Sequence, residues 1–211
     1  MAGEVPYLCS IFEYLIALHE GKADTIRRSD PPPVAGEIHV PLLRESLGGV
    51  DFISRCSAPI FDAESDSHEH FAKRLGVEYS DLLAQTERKK VAIGNQSYKS
   101  YRLPIRTRLA SKIVWFIGGA KRGNLLGLCN QIKHIGKKRS YGCGRVCGWE
   151  VDEVEEDLSW FAKTETGTLL MRVLPFCDNL PSDLIGYRRG FGGVVPPLWH
   201  PGRFVDVVYP A

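Results

Sequence analysis

The chain contains no run of about 18 apolar residues, which excludes a membrane-spanning helix. Its opening, Met1-Ala-Gly-Glu-Val-Pro6, has neither the basic flank nor the apolar stretch of a signal peptide, so a cytoplasmic location is the expectation. Six cysteines (Cys9, Cys56, Cys129, Cys143, Cys147 and Cys177) are scattered and include no tight Cys-x-x-Cys turn. That argues against a disulfide framework, and reduced, partly buried thiols are expected. Cys129, His134, Cys143 and Cys147 are the right residue types for tetrahedral zinc, but their spacing is not that of a zinc ribbon or finger. His68-Glu-His70 lies in a polar stretch and reads as solvent-facing. No metal or other cofactor is expected.

The scarcest feature is acid in the middle of the chain. From Arg88 to Trp149, 62 residues, there is not one Asp or Glu, yet there are 15 Lys+Arg. At the chain's average composition such a window would hold about seven acids. Residues 1–87 carry 7 bases and 15 acids, residues 150–211 carry 5 and 10, and the total of +2 hides this segregation. Six acids in eight residues, Glu150 to Asp157, follow directly on the basic block. Such a field attracts polyanions, of which nucleic acid is the commonest. Tyr98, Tyr101, Trp115 and Tyr141 are interleaved with the cations, as a groove for single strands requires, although Trp115 reads as core.

With 44% hydrophobic and 25% charged residues in 211, the composition is that of a globular chain and excludes whole-chain disorder or coiled coil. One domain, 1–211, is expected, with polar section 61–95 as an insertion or hairpin and 176–202 as a Gly/Pro-rich loop region. Ser10-Ile-Phe-Glu13 reads as a capping box before a helix at about 11–20, closed by Gly21. Short strands are expected at Glu37–Pro41 and Gly49–Ser54, and a short helical pattern near His68–Leu75. Tyr101, Leu103 and Ile105 alternate with Arg102, Arg106 and Arg108, predicting a strand with one buried and one cationic face. Pro104 places that strand at an edge. Lys112–Gly118 reads as a central strand, and Leu125, Leu128, Ile132 and Ile135 as one face of a helix ending at Gly136. Arg145–Val151, Thr168–Leu174 and Arg203–Tyr209 read as further strands. The class is α+β, and strand–helix–glycine loop–strand is half of a ferredoxin-like, RNA-recognition-type fold.

Gly136-Lys-Lys-Arg-Ser-Tyr-Gly-Cys-Gly144 sets three cations, Lys137, Lys138 and Arg139, among three glycines that let backbone amides approach phosphates. It follows a helix rather than preceding one, which argues against a nucleotide-triphosphate loop. Together with Arg145 and Val146 the loop resembles the glycine-rich loop of the RAMP superfamily, the RNA-binding proteins of CRISPR systems. Gly94–Tyr101, Trp115–Gly119, the loop leading into Trp149, and Leu170–Pro175 with Pro196–His200 together resemble the Cas-five-type subunit of type IV effector complexes, the Csf-three family. The likeness runs from about Pro41 to the C-terminus. Cys143 stands where the family usually has an aromatic, and the family's opening strand has only a short counterpart in Met1–Cys9.

The resemblance implies a non-catalytic subunit that grips the five-prime handle of a CRISPR RNA and caps a backbone of Cas-seven-type subunits. It further implies the large subunit as a neighbour, a repeat-processing nuclease and a DinG-type helicase acting alongside, and target DNA close to its adjacent motif. The polar 61–95 section is the candidate for the hairpin, or thumb, that buttresses RNA in these proteins. The expected RNA-binding residues are Lys137, Lys138, Arg139, Ser140, Tyr141, Gly142, Gly144 and Arg145, with Lys99, Arg102, Arg106, Arg108, Lys121 and Arg122 from the rest of the block. Metal-free RNA cleavage needs a base and a transition-state stabiliser. His19, His39 and His134 sit in no motif that fixes a partner, and His134 with Tyr141 is the least unsuitable pair. The alternatives are a repeat-processing endoribonuclease of the same superfamily and a stand-alone single-stranded nucleic-acid-binding protein.

Overall fold

The computed structural model describes residues 5–22, 31–32, 34–73, 101–136 and 142–210. Within them the chain is a mixed α+β fold with two α-helices, α1 (Leu8–His19) and α2 (Arg122–Cys129), and small sheets. β1 (Arg44–Leu47) pairs with β2 (Val50–Ser54), and β3 (Ser65–Lys73) with β4 (Tyr101–Leu109), both antiparallel. β5 (Phe161–Thr164), β6 (Gly167–Leu170) and β8 (Leu184–Ile185) form a third sheet. The fourth is β7 (Leu174–Pro175), β10 (Phe204–Pro210) and β9 (Tyr187–Gly193), with β10 central. No helix among the described residues is long and apolar enough to cross a membrane.

α1 begins three residues before the expected start. Tyr7, extended at ψ 139°, is its N-cap, and the amides of Ser10 and Ile11 bond to the Tyr7 carbonyl. Ser10 therefore lies inside the helix with its hydroxyl buried, and the capping box is not formed. Burial of Leu8, Cys9 and Phe12 draws the extra residues into the helix; a fully buried Phe contributes about 2–3 kcal/mol. At the other end Gly21, at φ +70°, closes a Schellman turn: Lys22 bonds to Ala17 and Gly21 to Leu18.

Two cores lie side by side. The first joins α1, Val40, Leu42, Cys56, α2, Ile132 and Ile135, with Trp115 and Trp149 packed against it. The second joins Ile53, Trp160, Leu170, Leu174, Val194, Val195, Val207 and Val208. Residues 53–57 pass from one to the other, and Arg172 staples the junction. Its guanidinium, 1% exposed, donates to the carbonyls of Ser54, Cys56 (3.1 Å) and Val194 (3.2 Å), and lies 5.0 Å from the Tyr7 ring. Beside it the Cys56 thiol shares a hydrogen bond with Cys9, which together with burial pushes it well above its ordinary value.

Several expected elements take other forms. Glu37–Pro41 is irregular, although Ile38 and Val40 are buried. Lys112–Gly118 is no continuous strand: it meets 55–60 only at the Cys56–Ile117 and Ile60–Val114 bridges. Pro59 supplies no amide there, and the Ser57 hydroxyl accepts the Phe116 amide in place of a backbone carbonyl. α2 stops at Cys129 with Asn130 as its C-cap, and Gly123 and Gly127 within it each weaken a helix by about 1 kcal/mol. Ile132 and Ile135 remain buried beyond its end, so Gly136 is not its cap. Arg145–Val151 keeps a single bridge and leaves Cys147 exposed. The expected strand Thr168–Leu174 is split into β6 and β7 where Arg172 turns into the core. Within 176–202, read as loop, β8 and β9 are formed, because β9 zips along the whole of β10 from Phe204–Gly193 to Pro210–Tyr187.

Candidate nucleic-acid interface

The glycine loop springs from a pinned base. The Ile135 amide bonds to the Gly144 carbonyl (2.8 Å), the Val146 amide to Lys133 (3.0 Å), and His134 bridges Arg145. Gly136, Gly142 and Gly144 have φ of +89°, +77° and +67°, the left-handed region that favours glycine. A Cβ on Gly144 would overlap the Ile135 carbonyl oxygen, so glycine is obligatory there. Because Ile132 and Ile135 are buried, both feet are anchored to the first core while Arg145 stays exposed. Lys137, Lys138, Arg139, Ser140 and Tyr141 lie outside the described residues, as do Lys99 and Tyr98.

Lys121 and Arg122 stand exposed at the start of α2, whose first turn holds no acid and whose N-cap makes no side-chain hydrogen bond. Its positive end is thus open toward an anion. Arg102, Arg106 and Arg108 project from β4, but the expected buried face does not form. β3 and β4 make a two-stranded hairpin, and Leu103 and Leu109 are exposed along with Arg102 and Arg106. The helical pattern near His68–Leu75 is overturned as far as Lys73, since β3 pairs residue by residue with β4. Residues 74–100 lie outside the described part, so the 61–95 section is seen only to Lys73.

Two of the three hairpin arginines are held by acid from the opposite strand. Arg106 grips both Asp66 oxygens, with Nε at 2.9 and 2.8 Å, and Arg108 Nε stands 3.6 Å from the same carboxylate. The Arg106 guanidinium keeps the Asp66 carboxyl below its ordinary range. Arg108 also faces the Phe61 ring at 5.8 Å, beside a shallow depression of about 480 Å³ lined by Ile60, Phe61, Met171 and Pro210. The acidic run is partly used internally: Asp157 lies 3.4 Å from Arg55, which also bonds Glu45 at 2.6 Å and stacks 4.0 Å from the Trp160 ring. The other acids of 150–157 are exposed.

His39 is exposed, and His19 bonds Gln131 at 2.8 Å across the ends of the two helices. No group of three His, Cys, Asp or Glu side chains stands close enough to hold a metal among the described residues.

Sequence reasoning passed over the strand β9, Tyr187-Arg-Arg-Gly-Phe-Gly-Gly193, because three glycines in seven residues read as loop. Its Arg189 lies 3.5 Å over the Phe176 ring and its Arg188 5.3 Å from the Tyr209 ring. Alternating aromatic and arginine between glycines was the available signal.

No protein-family model matches the chain, and a search of curated proteins finds no match.

Proposed function

We propose that the chain is a non-catalytic, RNA-binding subunit of a type IV CRISPR ribonucleoprotein, of the Csf-three, Cas-five-like kind. In this reading it works in the cytoplasm in RNA-guided DNA targeting, and its core is a variant of the ferredoxin-like RAMP fold. The glycine loop 136–144 holds the phosphates of the five-prime handle, and the chain caps the Cas-seven-like backbone beside the large subunit, near target DNA.

The observation that carries this reading is the acid-free basic block of 62 residues, toward whose C-terminal end lies a cationic glycine loop with pinned feet. The two feet are already fixed by hydrogen bonds, so they add no ordering cost when the loop's cations meet phosphates. Arg145, Lys121, Arg122 and Arg102 add exposed charge from the same block. The hairpin arginines, held by Asp66, contribute less.

The test is binding of labelled repeat RNA at a series of salt concentrations. Lys137→Ala and Arg139→Ala should each weaken binding and lower the salt slope by about 0.7 per lost phosphate contact. Co-purification with an RNA of uniform five-prime end is the expected cellular result. Unchanged affinity in both variants would remove the loop from the interface. Cleavage of the repeat, abolished by His134→Ala, would make the chain the processing endoribonuclease instead.

A further inference from the structure

We infer that β9 and its neighbours form a second nucleic-acid surface, a platform on which unpaired bases of single-stranded RNA or DNA stack. It goes beyond the loop reading, shares no residue with it, and stands or falls separately.

Residues two apart on a strand share a face, so Tyr187, Arg189 and Phe191 lie together on one side of the sheet. Phe176 joins them, because the Arg189 guanidinium lies on its ring. The Phe191 ring is held edge-on to Phe204 at 5.9 Å with an interplanar angle of 85°. Despite that contact Phe191 is 65% exposed, with Tyr187 at 43% and Phe176 at 40%. The middle of this face, Val208 and Leu174, belongs to the second core, and the three rings stand around it open to water, a patch suited to interaction.

The chemistry selects the occupant. The Arg189 guanidinium lies 3.5 Å from the Phe176 ring centroid, and among the described residues neither Arg188 nor Arg189 has a carboxylate partner. On the opposite face Arg188 covers Tyr209, whose ring packs over Gly190 and Gly192 and whose hydroxyl donates to the Phe191 carbonyl at 3.1 Å. A Cβ at Gly192 would overlap that hydroxyl, so the glycines make room for the ring. Exposed rings beside one guanidinium that has no carboxylate partner match stacked bases and the phosphates that link them. Asp206, opposite Phe191 in the register, is the acid on this face, and it disfavours a phosphate beside that ring while leaving stacking unaffected. An apolar protein partner would use the rings but leave Arg189 desolvated without a carboxylate partner, which is costly.

The test uses the full chain and two fluorescent 12-residue oligonucleotides, oligouridine and an abasic strand with the same number of phosphates. Stacking is worth enough per base that Phe191→Ala should lower affinity for oligouridine about tenfold. Affinity for the abasic strand should stay within twofold, and Phe191→Trp should restore the oligouridine value. Phe176→Ala should act in the same direction. Circular dichroism of each variant matching the parent shows that the fold survives. The inference is overturned if Phe191→Ala leaves oligouridine binding unchanged, or lowers both strands equally. Failure of the loop appears instead as an unchanged salt slope in the Lys137 and Arg139 variants, so the two failures are read on different measurements.

Discussion

Replacing Arg172 by methionine tests the account of how the two cores are joined. The guanidinium is buried, and no carboxylate neutralises it among the described residues. Its charge is instead held by carbonyl oxygens of Ser54, Cys56 and Val194 and by the face of Tyr7. Methionine fills much of the volume but donates nothing. Ser54 keeps a donor, the Trp160 indole at 3.1 Å, so the cost falls mainly on the carbonyls of Cys56 and Val194. At about 1–3 kcal/mol for each buried group deprived of its partner, the expected loss is about 4 kcal/mol. Total stability for a domain is about 5–15 kcal/mol, so the variant should be marginal. Arg172→Lys retains charge but loses the planar fork, and about 2 kcal/mol is expected. Urea unfolding followed by tryptophan fluorescence reads both, with Trp160 as a reporter at the junction. If Arg172→Met unfolds within about 1 kcal/mol of the parent, the carbonyl cluster does not hold the cores together and the reasoning is refuted. The folded lysine variant should bind RNA normally, because this side chain does not reach the surface.

Glu13 gives a pH dependence. Burial pushes its carboxyl up to about 7 from 4.5, against the pull of Arg44. The native state therefore keeps its proton longer than the unfolded chain, and stability falls as pH rises from about 4.5 through about 7. Because Glu13 is only half-buried, the full shift is discounted, and Glu13→Gln should gain about 2 kcal/mol at pH 8 and little at pH 4. An identical pH profile in the glutamine variant would contradict this. Gly144→Ala should detach the loop from Ile135 and abolish repeat-RNA binding while α1 and the second core still melt cooperatively; normal binding would show that the pinned base is dispensable. Asp66→Asn releases Arg106 and Arg108, so affinity for single strands at low salt should rise; a fall would mean that the ion pair presents the hairpin rather than masks it.

Much of the charge logic and the mixed class could be read directly from the residues. The acid-free block is a property of composition, and local rules place Gly21 at the end of α1. The run of apolar residues in 204–209 marks β10 for the same reason: its signal is contained in a few adjacent positions. What could not be read was partnership. Gly48 and Gly49, at φ +58° and +75°, make the two-residue turn between β1 and β2, a signal present in the glycine pair although Arg44–Leu47 shows no alternation. β9 is a strand only because β10 supplies hydrogen bonds along its whole length, which overrides the loop preference of three glycines. Conversely, Lys112–Gly118 has the apolar content of a central strand, yet the segment opposite it carries Pro59 and meets it at isolated points.

The same division applies to the candidate sites. Sequence alone determined where cations outnumber acids, because charge is additive along a chain. Only the tertiary structure decided which of them remain free: Asp66 takes up Arg106 and Arg108 from across the hairpin, Arg172 disappears into the core, and Arg188 and Arg189 come to rest on aromatic rings. Those outcomes depend on contacts between residues from 13 to more than a hundred positions apart, and pairing at that range is settled by packing and hydrogen bonding in three dimensions rather than by any local pattern.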